Sequence, residues 1–263
     1  MTNNLCLPER NKLDSYLATA ECLPPTPGLM IKLIALFRQP DRDVDEIVEL
    51  MRQDPSVTTE LLRRCNRSFF ANEEPVTDIT ESVFRLGFYE VYRITVALFG
   101  QQAMSTAKIN GSFEVEELWR HSVLAAIAGG AVARDVGESE GSAFTAGLLH
   151  DIGKIVLASV EGARYVELLR QHGHFGNSLD ESEKEAFGFG HAEIGARLLR
   201  KWGVPDEVIV PVLSHHNQSW PEPFGRLAAI VNLANLMAHC IEKTPQTNPV
   251  NCPRRSMQWN CLI

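Results

Sequence analysis

The stretch AFTAGLLHDIGKIVLA, from Ala143 to Ala158, decides the fold of this chain. It places His150 and Asp151 side by side in a run of small and apolar residues with the composition of a core helix, which we expect to break at Gly153. A buried histidine and a buried carboxylate must be paired or must bind a metal, because burying an unpartnered polar group costs free energy. The stretch therefore predicts that other polar side chains meet this pair.

Histidines elsewhere in the chain are candidate partners for the pair. His121 lies in a predicted helix rich in alanine and glycine, whose small side chains let a second helix approach closely. His191 opens the helical stretch HAEIGARLLRKW, and His215 and His216 end the stretch VPDEVIVPVLSHH. Each alone is also explained as a core histidine bonded to a carbonyl group or as a polar residue at a helix end. The histidines that we expect to be solvated surface residues are His172, His174 and His239.

The motif GLLHDIGK resembles the signature of the HD superfamily of metal-dependent phosphohydrolases, and in its detail the HDOD branch. The resemblance extends to the LPPTP turn that starts at Leu23, to DPSVTTELLRRCN from Asp54 and to ITESVFRLGF from Ile79, and it runs to about Ala238. It implies a two-lobed helical domain that acts in bacterial signal transduction by binding a protein or a ligand.

The resemblance also implies a metal site. Its ligand-type residues are His121, His150, Asp151, His191, His215 and His216. These side chains suit one or two ions of iron, manganese, zinc or nickel. Lys154 follows the pair and is a candidate to contact a substrate phosphate. Catalytic members place an aspartate on a late helix, where this chain has Asn235, a neutral residue that can coordinate through its carbonyl oxygen but cannot act as a base.

Three functions remain open at this point. The first is a regulatory module with a degenerate metal site, whose partners are signalling proteins or a small nucleotide or phosphate ligand. The second is a metal-dependent phosphohydrolase that acts on a nucleotide or phosphoester. The third is a helical scaffold whose histidines are only core polar groups. Cyclic di-GMP hydrolysis of the HD-GYP type is not expected, because NQSWPEPFG follows His216 and the Gly-Tyr-Pro turn of that branch is missing.

Apolar residues three and four positions apart recur along the chain, while strand-like alternation is scarce. We therefore predict an all-α fold. Asp43, with Glu46 three residues on, is typical of a helix N-cap. A polar break at Asn110 and Gly111 indicates a lobe boundary. The predicted parts are an N-terminal helical lobe (1–110), an HD-like helical lobe (111–243) and an irregular tail (244–263).

Composition limits the compartment and the partners. The 263-residue chain has a net charge of -8, which argues against a surface that neutralises nucleic-acid phosphates. We find no basic leader followed by an apolar run and no uninterrupted apolar stretch of membrane-spanning length, so we expect a cytoplasmic protein without a membrane segment. The six cysteines show no CxxC spacing and are expected to be reduced thiols.

Overall fold

The computed structural model describes residues 10–19, 28–37, 39, 43–67, 76–105, 113–172 and 177–243. Within these ranges the chain forms fourteen α-helices and no β-strand, which confirms the all-α prediction. The helices are α1 (Arg10–Thr19), α2 (Gly28–Phe37), α3 (Val44–Arg52), α4 (Pro55–Arg67), α5 (Ile79–Leu86), α6 (Phe88–Ser105), α7 (Val115–Val136), α8 (Glu140–Leu149), α9 (Ile152–Glu161), α10 (Ala163–His172), α11 (Asn177–Phe187), α12 (His191–Lys201), α13 (Asp206–Ser214) and α14 (Gly225–Lys243). The predicted turn at 23–27 and the predicted tail at 244–263 lie outside the described residues.

The helices divide into two compact units. One comprises residues 25–102 with α2 to α6, and the other comprises residues 1–24 and 103–262 with α1 and α7 to α14. Our sequence boundaries placed α1 in an N-terminal lobe of residues 1–110, and the structure differs there. Leu13 and Leu17 of α1 are buried in the larger unit, and Asp14 accepts a hydrogen bond of 2.9 Å from Nε of Arg197 on α12. Such pairing across 183 positions leaves no local trace in the sequence.

In the smaller unit, hydrogen bonds between residues close in the sequence cap the helices and join them. Asp43 caps α3 by accepting a hydrogen bond from the backbone N–H of Asp45, as the sequence predicts. Asp78 caps α5 in the same way and fixes its start. Asn66, near the end of α4, accepts from the N–H of Val76 and donates to its carbonyl group, which ties the two segments together.

In the larger unit, small residues let α7 and α8 cross at very short range. A Cβ atom placed on Gly147 would lie 2.9 Å from the carbonyl oxygen of Ala125. Only glycine tolerates that approach, because real Cβ atoms do not come so close to backbone atoms. The prediction that α7 presents small residues to a neighbouring helix is therefore confirmed, and His121 on α7 is fully buried.

The stretch Glu140–Glu161 is long and apolar enough to cross a membrane by length and composition alone. In the structure, however, 89% of the tested window is buried inside the protein. The stretch is also two helices, since α8 ends at Leu149 and α9 begins at Ile152. Its apolar character is explained by burial in the core, with a polar turn at its centre.

The break in this stretch falls at His150 and Asp151, not at Gly153 as we expected. Gly153 lies inside α9 and has a different role. A Cβ atom there would lie 2.0 Å from the carbonyl oxygen of His191, at the start of α12. The glycine thus allows α9 and α12 to touch backbone to backbone, and this contact brings His191 to Asp151.

Candidate metal centre

Imidazole rings from four segments surround the Asp151 carboxylate. Its Oδ1 atom lies 3.2 Å from Nε2 of His191 and 3.8 Å from Nε2 of His215. Its Oδ2 atom lies 3.3 Å from Nε2 of His150 and 3.9 Å from Nε2 of His121. All five side chains are fully buried. The structure therefore brings together residues that are up to 94 positions apart in the sequence.

His216 completes the group from the end of α13. Its Nε2 atom lies 2.9 Å from Nε2 of His191, which in turn lies 3.4 Å from Nε2 of His215. The structure thus places every predicted ligand-type histidine in one cluster. Their role as metal ligands stays a prediction.

Backbone carbonyl groups orient two of these rings. Nδ1 of His150 donates to the carbonyl oxygen of Gly147 at 2.7 Å, and Nδ1 of His215 donates to that of Val212 at the same distance. Both contacts join a residue to the one three positions earlier, at the end of a helix. Because Nδ1 carries the proton, the Nε2 lone pair faces the cluster, as a metal ligand requires.

A buried carboxylate that sequence reasoning missed holds His191. Oε2 of Glu183 accepts hydrogen bonds from Nδ1 and from the backbone N–H of His191, at 2.6 and 2.7 Å. Oε1 of Glu183 accepts from the hydroxyl group of Tyr165 at 2.6 Å. Burial opposes protonation of His191, but the Glu183 charge prevails and raises the pKa of His191 to about 9. Burial raises the pKa of Tyr165 well above its usual value.

His121 has two partners on α14. Its Nε2 atom lies 3.0 Å from Oδ1 of Asn235, and its Nδ1 atom lies 3.0 Å from Oε2 of Glu242. Asn235 therefore lies at the cluster, where the resemblance predicts a late-helix ligand. Burial would raise the pKa of Glu242, but the hydrogen bond with His121 lowers it to about 2.

His239 is not the solvated surface residue that we predicted. Its side chain is 13% exposed, and its ring stacks on that of His121 with the centroids 4.4 Å apart. The reason is helical spacing, since His239 lies one turn beyond Asn235 on the same side of α14. Of the other two histidines in that prediction, His172 is exposed and His174 lies outside the described residues.

The side chain of Lys154 also reaches the cluster around Asp151. Its Nζ atom donates to Oδ2 of Asp151 at 2.7 Å, and its side chain is buried. Burial would raise the pKa of Asp151, but His150 and Lys154 hold it well below its usual value. The carboxylate is therefore ionised and already paired with a cation.

The cluster fits a divalent metal. Nε2 of His150 and Oδ1 of Asp151 are buried and make no hydrogen bond of good geometry within the described part of the chain. Burial lowers the pKa of His150 and that of His215, and it lowers the pKa of His216 to about 2. Neutral imidazoles and an ionised carboxylate are the forms in which these residues bind metal ions.

A cavity of about 390 Å³ opens beside His216. Its wall combines polar side chains, among them Asp180, Lys184 and Asn217, with apolar groups such as the indole ring of Trp220. His216, at the edge of the histidine cluster, lines this cavity. A small polar ligand therefore has a route to His216.

The residues missed by sequence reasoning differ in how they could have been found. Glu242 and His239 follow Asn235 by seven and four positions, so helical spacing alone would have grouped them. Glu183 lies on α11 and Tyr165 on α10, and the packing of these helices with α12 brings both residues near His191. The spacing of residues along the sequence does not predict this packing.

Similar proteins were found by sequence and by structure. A protein of unassigned function from Treponema pallidum is 25% identical over 227 residues, which are 85% of this chain and 44% of that protein. Ribonuclease Y from Acholeplasma laidlawii is 28% identical over 158 residues, 60% of this chain and 23% of that enzyme. This chain thus spans less than half the length of either relative.

An HDOD domain protein of unknown function from Geobacter sulfurreducens has the same fold, with a TM-score of 0.71 and 21% identity. The alignment covers 92% of this chain and 82% of that one. The profile of the HDOD domain family matches residues 23–218, well over half of the sequence. The chain belongs to the HDOD family.

Proposed function

We propose that this protein is a regulatory HDOD module that works by binding a signalling protein or a small ligand, and that its HD-type metal centre is degenerate. The observation that carries the proposal is the contact between Asn235 and His121. A neutral amide holds the ring nitrogen that would otherwise face a metal, and an amide cannot accept a proton from an attacking water.

The charge of the cluster supports the same proposal. Asp151 is engaged by the Lys154 ammonium group at 2.7 Å, so the pair contributes no net negative charge. The imidazole rings around such a pair carry no negative charge, and His191, whose pKa is raised to about 9, is protonated in the metal-free protein at neutral pH. These rings therefore attract a divalent ion less strongly than two free carboxylates would. Weak metal binding suits a protein that responds to a ligand better than one that turns over a substrate.

The residues that would hold a metal are His121, His150 and Asp151 in one group and His191, His215 and His216 in a second, because the donor atoms within each group lie within 4.8 Å of one another. When bound, such an ion polarises a phosphoryl oxygen and acidifies a coordinated water. Glu183 would fix the orientation of His191 during binding, and Lys154 would supply positive charge next to Asp151.

A metal-dependent phosphohydrolase is the second candidate. It is favoured by the number of ligand-type side chains that converge on Asp151 and by the Nε2 atom of His150, which is buried and makes no hydrogen bond of good geometry within the described residues. Ribonuclease Y from Acholeplasma laidlawii, which aligns with this chain over 23% of its own length, has a name in keeping with this class. The net charge of -8 does not favour a nucleic acid as the substrate of this chain.

A phosphodiesterase assay with a matched variant separates the two candidates. Purified protein is loaded with manganese or iron and is tested on bis(p-nitrophenyl) phosphate and cyclic di-GMP, beside Asp151→Asn as the control. For a regulatory module we expect the same background rate from both proteins. Turnover of about 1 per second that depends on Asp151 would overturn the proposal in favour of an enzyme.

Ligand binding is measured separately. A thermal-shift screen of nucleotides and inorganic phosphate is expected to find a ligand that stabilises the wild-type protein, because a ligand that binds only the folded state raises its stability. His216→Ala, at the edge of the cavity, should reduce that shift, whereas the exposed His172→Ala should not.

A further inference from the structure

The outward side of α14 carries an apolar stripe. Six large apolar side chains are exposed in the described part of the chain, and four of them lie on α14, each between 39% and 54% exposed. These four are Leu233, Leu236, Met237 and Ile241, and the exposed Cys240 lies among them. We call these five side chains the outer face of α14. At about 100° per residue they span about 140° of the helix circumference, which is the width of a stripe that normally faces a core.

This helix lacks the polar outward side of an ordinary surface helix. Two of its polar residues, Asn235 and Glu242, point inward and contact His121. By helical spacing they lie on the side of α14 opposite Leu233 and Met237. A surface helix normally buries its apolar stripe and turns its polar residues to water. The outer face of α14 therefore has the composition of a buried surface.

The segment that follows α14 in the chain has a matching composition. Residues 244–263 continue directly from Lys243, at the end of the stripe. Within them, residues 256–263 read SMQWNCLI, which includes Trp259 and Leu262 and contains no charged side chain. Such a sequence can cover an uncharged apolar stripe without burying an unpaired charge.

The length of this segment permits it to reach the stripe. At a rise of about 1.5 Å per residue, Leu233 lies about 15 Å from Lys243 along α14. The chain from Lys243 to Met257 can extend over about 45 Å. Residues 256–263 can therefore reach every side chain of the outer face.

The size of the stripe favours a segment of the same chain over a separate partner. Stable complexes between separate proteins bury about 800 Å² on each partner, from about 20–30 residues. The outer face of α14 offers five side chains, well short of that number. A tethered segment needs fewer contacts, because a short linker holds it at an effective concentration in the millimolar range.

We propose that residues 256–263 dock on the outer face of α14. Docking removes apolar side chains of both partners from water, and Trp259 brings the largest apolar surface. The docked segment covers the back of the helix whose inner side holds Asn235 against His121. The proposal does not depend on whether the cluster around Asp151 binds a metal or a ligand.

Disulfide mapping of the full chain tests the docking. Mild oxidation with diamide should join Cys240, on the outer face, to Cys261 within one chain, in a Cys252→Ser background that removes a competing thiol. Peptide mass spectrometry of dilute protein identifies the link. Leu236→Glu places a charge in the stripe and should slow the link by at least about 10-fold, because an unpaired carboxylate resists burial. Gln171→Glu adds the same charge at an exposed position on α10 and should leave the rate unchanged.

Trypsin gives a second readout that uses no cysteine. The enzyme cleaves after Arg254 and Arg255, next to the docked residues. Cleavage there should be slower in the wild-type protein than in Leu236→Glu, because proteolysis follows the population of the open form. Gln171→Glu should be cleaved at the wild-type rate.

Three results would overturn the proposal. Equal rates of the Cys240–Cys261 link with and without Leu236→Glu would show that the segment does not use the stripe. A Cys240–Cys240 link whose yield rises with protein concentration would show that a second copy of the chain covers it. Equal slowing by Leu236→Glu and Gln171→Glu would indicate a general effect of charge. Circular dichroism confirms that each variant is folded.

Discussion

Nζ of Lys154 lies 2.7 Å from Oδ2 of Asp151, and both side chains are buried among imidazole rings. The ammonium group balances the carboxylate at the centre of the histidine cluster. A divalent ion would meet a pair of opposite charges there, instead of a free anion. We therefore expect Lys154 to act in two ways: it should stabilise the metal-free protein and should weaken the binding of any metal ion at Asp151.

Replacing Lys154 with Met should separate these two effects. Removing one partner of a buried ion pair costs about 3–5 kcal/mol, so the metal-free variant should be less stable by about that amount in urea unfolding. Manganese should then stabilise the variant more than it stabilises the wild-type protein, because Asp151 is free to bind it. Lys201→Met, at an exposed position on α12, is the control. Equal stabilisation of wild type and Lys154→Met by manganese would contradict this account.

Asn235→Asp should tighten metal binding. The new carboxylate would lie about where the amide now meets Nε2 of His121, 3.0 Å away, and would add a negative charge to the cluster. Changes of this kind near metal ligands typically alter affinity by about 10- to 100-fold. Isothermal titration with manganese measures the effect, and Gln171→Glu, at an exposed position on α10, adds the same charge as a control. If only the control variant gained affinity, Asn235 would not act on the metal.

The contact between Glu183 and His191 should make the stability of the metal-free protein depend on pH. The pKa of His191 is raised to about 9 in the folded protein, above its unfolded value of about 6.5. The stabilisation from its proton is therefore fully present below about pH 6.5 and is lost as the pH rises through 9. This loss is on the order of 3 kcal/mol.

Urea unfolding in the presence of a chelator, at pH 6.5 and pH 9.5, measures this loss. Glu183→Gln removes the charge that raises the pKa of His191, so its stability should change less over the same interval. Tyr165→Phe keeps the carboxylate and should retain most of the pH dependence. Parallel pH profiles for wild type and Glu183→Gln would show that another group is responsible.

Gly153→Ala should disturb the fold and the cluster together. The added Cβ atom would lie 2.0 Å from the carbonyl oxygen of His191, and this contact is between two backbones that cannot move independently. We expect a loss of about 3 kcal/mol, at the upper end for overpacking, and weaker manganese binding because His191 is displaced. Gly129→Ala is the graded comparison, since its Cβ atom would meet a carbonyl oxygen at 3.2 Å. A larger loss in Gly129→Ala, measured by urea unfolding, would contradict the assignment.

Several features of the protein could be predicted from its sequence because they depend on neighbouring residues. The spacing of apolar residues predicted helices throughout, and Asp43 marked the start of α3 by capping it within the same turn. The group of histidines around Asp151 could also be predicted, although through the resemblance to a family. The spacing of apolar residues alone does not predict that His121 and His215 lie close together.

Other features depend on contacts between distant segments, and only the tertiary structure decided them. The break between α8 and α9 falls at His150, whose ring bonds the carbonyl group of Gly147, and Gly153 serves the contact with α12. Among the carboxylates near the cluster, sequence reasoning identified Asp151 and missed Glu183, which accepts a hydrogen bond from Nδ1 of His191.

The sequence by itself determined the all-α class and the cap of α3, since the spacing of apolar residues and hydrogen bonds within one turn of the chain control these features. It also placed His150 beside Asp151, because the two residues are neighbours in the chain. The tertiary structure decided which unit holds α1, how Lys154 pairs with Asp151 inside the cluster, and which carboxylates support the histidines. Those choices depend on the angle and distance at which helices cross. Residues far apart along the chain set that packing jointly, so no single segment encodes it.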